Sequence, residues 1–154
     1  MERDLPERIT VSSAAFDAGG TIPARYTCTG EDRSPPLRWS GVPEGAAGVA
    51  LVVDDPDAPR GTFVHWLLVG LDPAGDGLAE GAVPAGARQL PNSAGKAVWT
   101  GPCPPAGPAH HYRFTVYALQ REPEVAGDAD PEKAVEAIEA AATARGRLVG
   151  TFGR

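Results

Sequence analysis

The chain has 154 residues, enough for one sizeable core and not for two, and carries a formal net charge of −6. Apolar residues make up 42% of it, but 26 are alanines, while 19 glycines and 16 prolines favour strands joined by many turns over an all-helical bundle. An acidic chain without a Lys/Arg run matches a phosphate backbone poorly, so general nucleic-acid binding is not expected.

The opening Met-Glu-Arg-Asp carries two acids and no apolar stretch follows it, which leads us to expect no secretory signal. The longest apolar run, 64–71, is interrupted by His65 and is far too short to span a bilayer. Two cysteines are too few for a disulfide-dense secreted module. The expectation is a single soluble, cytoplasmic domain over 1–154.

Four segments read as strands. Residues 8–12 are short and β-branched, and 48–54 (GVALVVD) form a continuous apolar run suited to burial on both faces. Residues 63–71 (FVHWLLVGL) form another such run. In 112–119, Tyr112, Phe114, Val116 and Ala118 share one face and Arg113, Thr115, Tyr117 and Leu119 the other. One helix is predicted: Asp130 caps it, Pro131 and Glu132 suit its first turn, Val135 and Ile138 recur at helical spacing, and Gly146 ends it. A closing strand follows over 148–152. The long connections 20–47 and 72–108 carry most of the proline together with Cys28, Trp39, Asn92, Trp99 and Cys103, and are expected to be ordered loops over one end of a sheet.

Three clusters could carry chemistry. Asp54, Asp55 and Asp57 leave a buried strand together, where they repel one another and the prolines at 56 and 59 stiffen their turn. Taken alone this is more often a polar turn than a site. His65 sits inside an apolar run, and burying an imidazole without a partner costs about 1–3 kcal/mol, so it has a partner or lines a cavity. Strict alternation puts Phe63, His65, Leu67 and Val69 on one face and Val64, Trp66 and Leu68 on the other. The third cluster, GPCPPAGPAHHY over 101–112, is a stiff proline-flanked loop feeding the fourth strand. If the third and fourth strands are neighbours, His65 and His110 meet at one sheet end beside the aspartates. No nucleophile elbow, HExxH, Walker loop or dinucleotide fingerprint is present, and the cysteines lack zinc spacing.

The motifs DDPDAP, VHWLLV and GPCPPAGPAHHYRFTVYAL, with Ile22-Pro23, Tyr26-Thr27-Cys28, Ser34-Pro35-Pro36-Leu37, Trp39 and the closing LVGTF, resemble the phosphatidylethanolamine-binding protein family, in its bacterial Raf-kinase-inhibitor-like branch. The resemblance covers about residues 9–154. It implies a mainly β, antiparallel two-sheet fold with a C-terminal α-helix and one small pocket that binds anions such as phosphate, acetate or a phospholipid headgroup. Carried over by motif, the ligand-binding walls are Asp55, Asp57, Pro59, His65, Pro104, Pro105, His110 and Tyr112, with a cis bond before Pro59. Relatives often have Trp at Phe63, Tyr at Trp99 and at Phe152, and a Gly-His pair at Ala140-Ala141.

The expected scheme has Asp55 or Asp57 orienting an imidazole that donates to the ligand with the Tyr112 hydroxyl. Affinity for phosphate-like ligands then rises as pH falls through about 6–7. No catalytic residue, cofactor or metal is expected. The alternatives are a facial metal site of two histidines and two carboxylates serving a hydrolase, and a module that inhibits kinases or proteases by recognising a phosphorylated or acidic side chain. A homodimer is an option the family offers. Cys28 and Cys103 are expected as free, partly buried thiols in a reducing compartment; bonded, they would close a loop of about 75 residues.

Overall fold

The computed structural model describes residues 4–154, so the first three residues of the Met-Glu-Arg-Asp opening lie outside the described residues. Two antiparallel sheets face each other. The smaller has the order β1 (Thr10–Ser12), β2 (Leu37–Ser40), β5 (Gly77–Leu78). The larger has the order β6 (Arg88–Leu90), β4 (Phe63–Leu71), β3 (Gly48–Asp55), β7 (His110–Leu119), β8 (Ala142–Phe152). One α-helix, α1 (Pro131–Ala141), precedes β8. This is the mainly β, two-sheet architecture expected.

Apolar material on both faces makes β3 the central strand. Val49, Leu51 and Val53 meet Val11, Leu37 and Trp39 of the small sheet in the inter-sheet core. Ala50 and Val52 join Tyr117, Leu119, Ala134 and Ile138 in a second cluster beneath α1. In β7 the expected alternation holds: Tyr112, Phe114, Val116 and Ala118 enter the inter-sheet core, and Tyr117 and Leu119 face the helix. Such side chains, nearly all lost to solvent, each contribute on the order of 1.5–3 kcal/mol of transfer free energy.

The structure decides three points that the sequence left open or placed differently. First, the segments 63–71 and 112–119 are not neighbours, because β3 lies between them and pairs with both (Val53 with Trp66 and with Phe114). Second, Asp130 does cap α1, accepting from the Lys133 amide, but the helix stops at Ala141 rather than at Gly146. Residues 142–147 pair with β7 instead, so tertiary ladder bonds override the helical preference of the alanines. Gly146 serves a close approach: a Cβ there would collide with the Ile9 carbonyl oxygen. Third, β2, β5 and β6 lie inside the long connections, where short and partly exposed strands leave little periodic signal.

Alternation also fails within β4, for a local reason. Val53 pairs with Trp66 and Asp54 with Val64, leaving His65 as the extra residue of a β-bulge. Trp66 and Leu68 therefore enter the inter-sheet core while Val64, Leu67 and Val69 face the helix. The bulge frees His65 from the ladder's strict two-residue repeat at the sheet end.

Candidate functional site

Three strands bring the site together. β3 ends at Asp55, β4 begins at Phe63, and β7 begins at His110, so the antiparallel order places all three at one edge of the large sheet. They surround a cavity of about 180 Å³ lined by Asp55, Pro59, Phe63, His65, Thr100, Gly101, Cys103, Pro104, Pro105, His110 and Tyr112, together with Ala58. Drug-sized sites run to roughly 300–1,000 Å³, so this one suits a ligand of a few heavy atoms. Larger depressions exist, one of about 490 Å³ at the opposite ends of the same strands. Size does not single out the site; the convergence of two imidazoles, a phenol and a carboxylate does.

The three clustered aspartates do not confront one another. Each takes a base from the first residues of β7. Asp54 points to the helix side and holds Arg113 through two bonds, Nε to Oδ1 at 2.7 Å and Nη2 to Oδ2 at 2.8 Å. Asp55 Oδ2 accepts from His110 Nδ1 at 2.7 Å, while its Oδ1 accepts from the Asp57 amide at 2.8 Å, an Asx turn around Pro56. Asp57 Oδ2 accepts from both the ring and the amide of His111, at 2.7 and 2.8 Å. This fixed bonding holds the Asp57 carboxyl below its ordinary range, chiefly through the His111 side chain.

Of the eight motif-derived residues, seven line the cavity and Asp57 does not: it orients the turn from the surface side. The peptide before Pro59 is not cis, since the described residues contain no cis bond; the turn closes instead by the Gly61 amide donating to the Ala58 carbonyl at 3.1 Å.

His65 bonds to neither aspartate. Its Nδ1 donates to the Thr100 carbonyl oxygen. Its ring lies 4.7 Å from that of Phe63 and 5.4 Å, edge-on, from that of Tyr112. Burial pushes the His65 imidazole below its usual value, against opposing pulls from the Thr100 bond and from Asp55, Asp54 and Asp32. Burial also raises the Tyr112 phenol well above its ordinary value, with Asp55 and Asp57 adding to the effect. At neutral pH the cavity thus presents an uncharged His65 and a protonated Tyr112.

The sequence reading missed Asn92 as a positioning residue. It is buried, and its amide nitrogen donates to the His65 carbonyl (3.1 Å), the Val98 carbonyl (2.9 Å) and the Thr100 hydroxyl (2.9 Å). Its side-chain oxygen accepts from the Ala94 and Lys96 amides at 2.9 and 3.1 Å. One side chain therefore folds the 92–100 loop and sets the carbonyl that orients His65. Its place in PNSAG, a turn-rich stretch, was the only signal the sequence offered.

Cys28 and Cys103 are joined, with Cα atoms 5.4 Å apart, which corrects the expectation of free thiols. Both residues are exposed rather than partly buried, and the Cys28 amide donates to the Pro102 carbonyl at 3.1 Å. The bond ties the cavity wall to the 24–30 loop. Gly101 allows that approach, because a Cβ there would collide with the Asp32 carboxylate. The departures at Ala140-Ala141 fall on the far side of the sheet, where Ala141, the last residue of α1, packs in the helix-side core away from the cavity. Among the described residues, no group of three or more His, Cys, Asp and Glu side chains is arranged to hold a metal ion.

A two-sheet β fold with a small, proline- and aromatic-walled cavity at a sheet edge, into which a few polar side chains converge, defines a ligand-binding protein in the general sense. The comparisons with known proteins make this specific. The family model for phosphatidylethanolamine-binding protein matches residues 12–153, and the chain belongs to that family. A UPF0098 protein of Mycobacterium tuberculosis is 48% identical over 158 residues, covering 99% of this chain and 76% of the relative. Among solved structures, Escherichia coli YbcL, described as a new member of the mammalian PEBP family, superposes with TM-score 0.90 at 30% identity, covering 96% of this chain and 99% of that one. The PEBP homolog CT736 of Chlamydia trachomatis gives 0.87 at 36% identity with the same coverage.

Proposed function

We propose that this protein binds a small anion of the phosphate type in the cavity at the edge of the large sheet. The observation that supports this best is the convergence of His65, His110 and Tyr112 on a void of about 180 Å³ whose carboxylate, Asp55, is already bonded by His110 and the Asp57 amide. Asp55 orients the His110 ring, leaving its Nε2 for the ligand, and the Tyr112 hydroxyl supplies a second polar contact. The proline walls need little ordering on binding. Calorimetric titration with inorganic phosphate at pH 6.5 tests the reading: wild type binds, and His110→Ala weakens binding at least about tenfold. A wild-type protein that binds neither phosphate nor acetate sinks it.

The same chemistry extends to protein targets. A phosphorylated or acidic side chain is the part of a kinase or protease partner that a cavity of this size admits. Pull-downs with wild type and His110→Ala check this, and identical partner sets would remove the cavity from recognition. The disulfide bears on compartment: an exposed bridge persists where thiols are oxidised, and the cytoplasmic assignment requires the same pair reduced. Alkylation and mass spectrometry of protein from its own host decide between them.

A further inference from the structure

We infer that the cavity takes its ligand as an oxyanion that still carries a proton, which the ligand donates to His65 Nε2. The inference rests on the small-anion reading and narrows it to a ligand class: inorganic phosphate or a phosphate monoester in its singly charged form.

The geometry begins at Thr100. A carbonyl oxygen only accepts, so the Nδ1 that bonds it carries the ring's proton. That carbonyl cannot swing away easily, because the Thr100 amide donates to the His65 carbonyl at 3.3 Å and Asn92 holds both residues. In the uncharged ring, Nε2 is then a lone pair at the cavity wall, with no partner among the described residues. The groups facing this ring are Asp54 and Asp55 from β3, Asp32 from the loop before β2, and His110 and Tyr112 from β7. Burial outweighs the carboxylates and lowers the ring's pKa, which favours the uncharged form.

Besides His65, the ring left to accept a ligand proton is that of His110, through its Nε2. Each Asp55 oxygen already accepts one bond, Oδ1 from the Asp57 amide and Oδ2 from His110. Tyr112 is a protonated phenol ready to donate. A ligand whose every oxygen is an acceptor satisfies Tyr112 but sets lone pair against lone pair at His65. One that keeps an O–H satisfies both.

The test compares ligands of equal charge. At pH 6.0 methyl phosphate is roughly half in the singly charged form, given a second pKa near 6. Methyl sulfate and dimethyl phosphate also carry one negative charge but no proton, and dimethyl phosphate stands in for a phosphodiester lipid headgroup. Calorimetry on wild-type protein is expected to give methyl phosphate at least a tenfold advantage over both. Its affinity should fall about 50-fold by pH 8.0 as the protonated form is depleted. In His65→Gln, whose amide can donate, the advantage over methyl sulfate should collapse, with a thermal melt confirming the fold. Equal wild-type affinities for methyl phosphate and methyl sulfate overturn this inference while leaving anion binding intact. Tighter binding of dimethyl phosphate overturns it in favour of a diester headgroup. If none of the three binds, the anion reading and this inference fail together.

Discussion

His110 and His111 are consecutive residues at the start of one strand, and each holds an aspartate of the same turn at 2.7 Å. Their surroundings differ. The His110 and Asp55 side chains are 12% and 5% exposed, whereas those of His111 and Asp57 are 58% and 41% exposed. One pair walls a cavity and the other faces solvent. Identical chemistry therefore has unequal consequences, because water screens the outer pair and leaves the inner one in a low dielectric.

Opening the enclosure around the inner pair should have the greatest effect. Reducing or removing the Cys28–Cys103 bond, which spans 75 residues, is expected to cost roughly 4–5 kcal/mol in the chain-entropy account. In a domain of this size that corresponds to a fall of about 8–20 °C in Tm, measured by calorimetry with and without a dithiol reductant. Within the pairs, Asp55→Ala strands a buried imidazole and should cost about 3 kcal/mol, whereas Asp57→Ala should cost about 0–1 kcal/mol. Chemical denaturation of the two variants checks the contrast, and equal losses would refute it. Asn92→Ala falls between them at about 2 kcal/mol, since it leaves buried backbone groups unpaired, and it should weaken phosphate binding by releasing Thr100 and His65.

The smallest effect is one of pH, and His65 and Asp57, both lowered, share a sign. Burial lowers the folded-state value of His65, so the unfolded chain binds more protons at and below about pH 6.5. Stability is therefore full above that pH and falls on acidification toward the lowered value. Asp57, lowered by His111, contributes above its unfolded value near 3.9 and loses that contribution only as pH falls further. Melting curves should show a first decline below pH 6.5 that is absent in His65→Gln and unchanged in Asp57→Ala.

How much of this was legible in advance differs by element. The β7 segment announced its two faces, because its period-two alternation survives in the structure without interruption at residues 112–118. The run 63–71 announced a strand but not its facing, since the bulge at His65 arises only when β4 pairs with β3. The alanines at 140–144 carry a helical preference throughout, yet the ladder to β7 claims those from Ala142 onward. Seven cavity residues were marked by motif; Asn92, Thr100 and the outward place of Asp57 were not. Their roles are relations between segments, and no single segment carries them.

Local pattern alone settled the central strands, the cap at Asp130 and the types of side chain available for chemistry, because apolar periodicity and capping act over a few residues. Tertiary structure decided that Asp54, Asp55 and Asp57 each find a separate base on β7, that His65 turns to the Thr100 carbonyl, and that Cys28 meets Cys103. The reason is range: these partners lie 35 to 75 residues apart in the chain, and only the folded sheet order brings them within bonding distance.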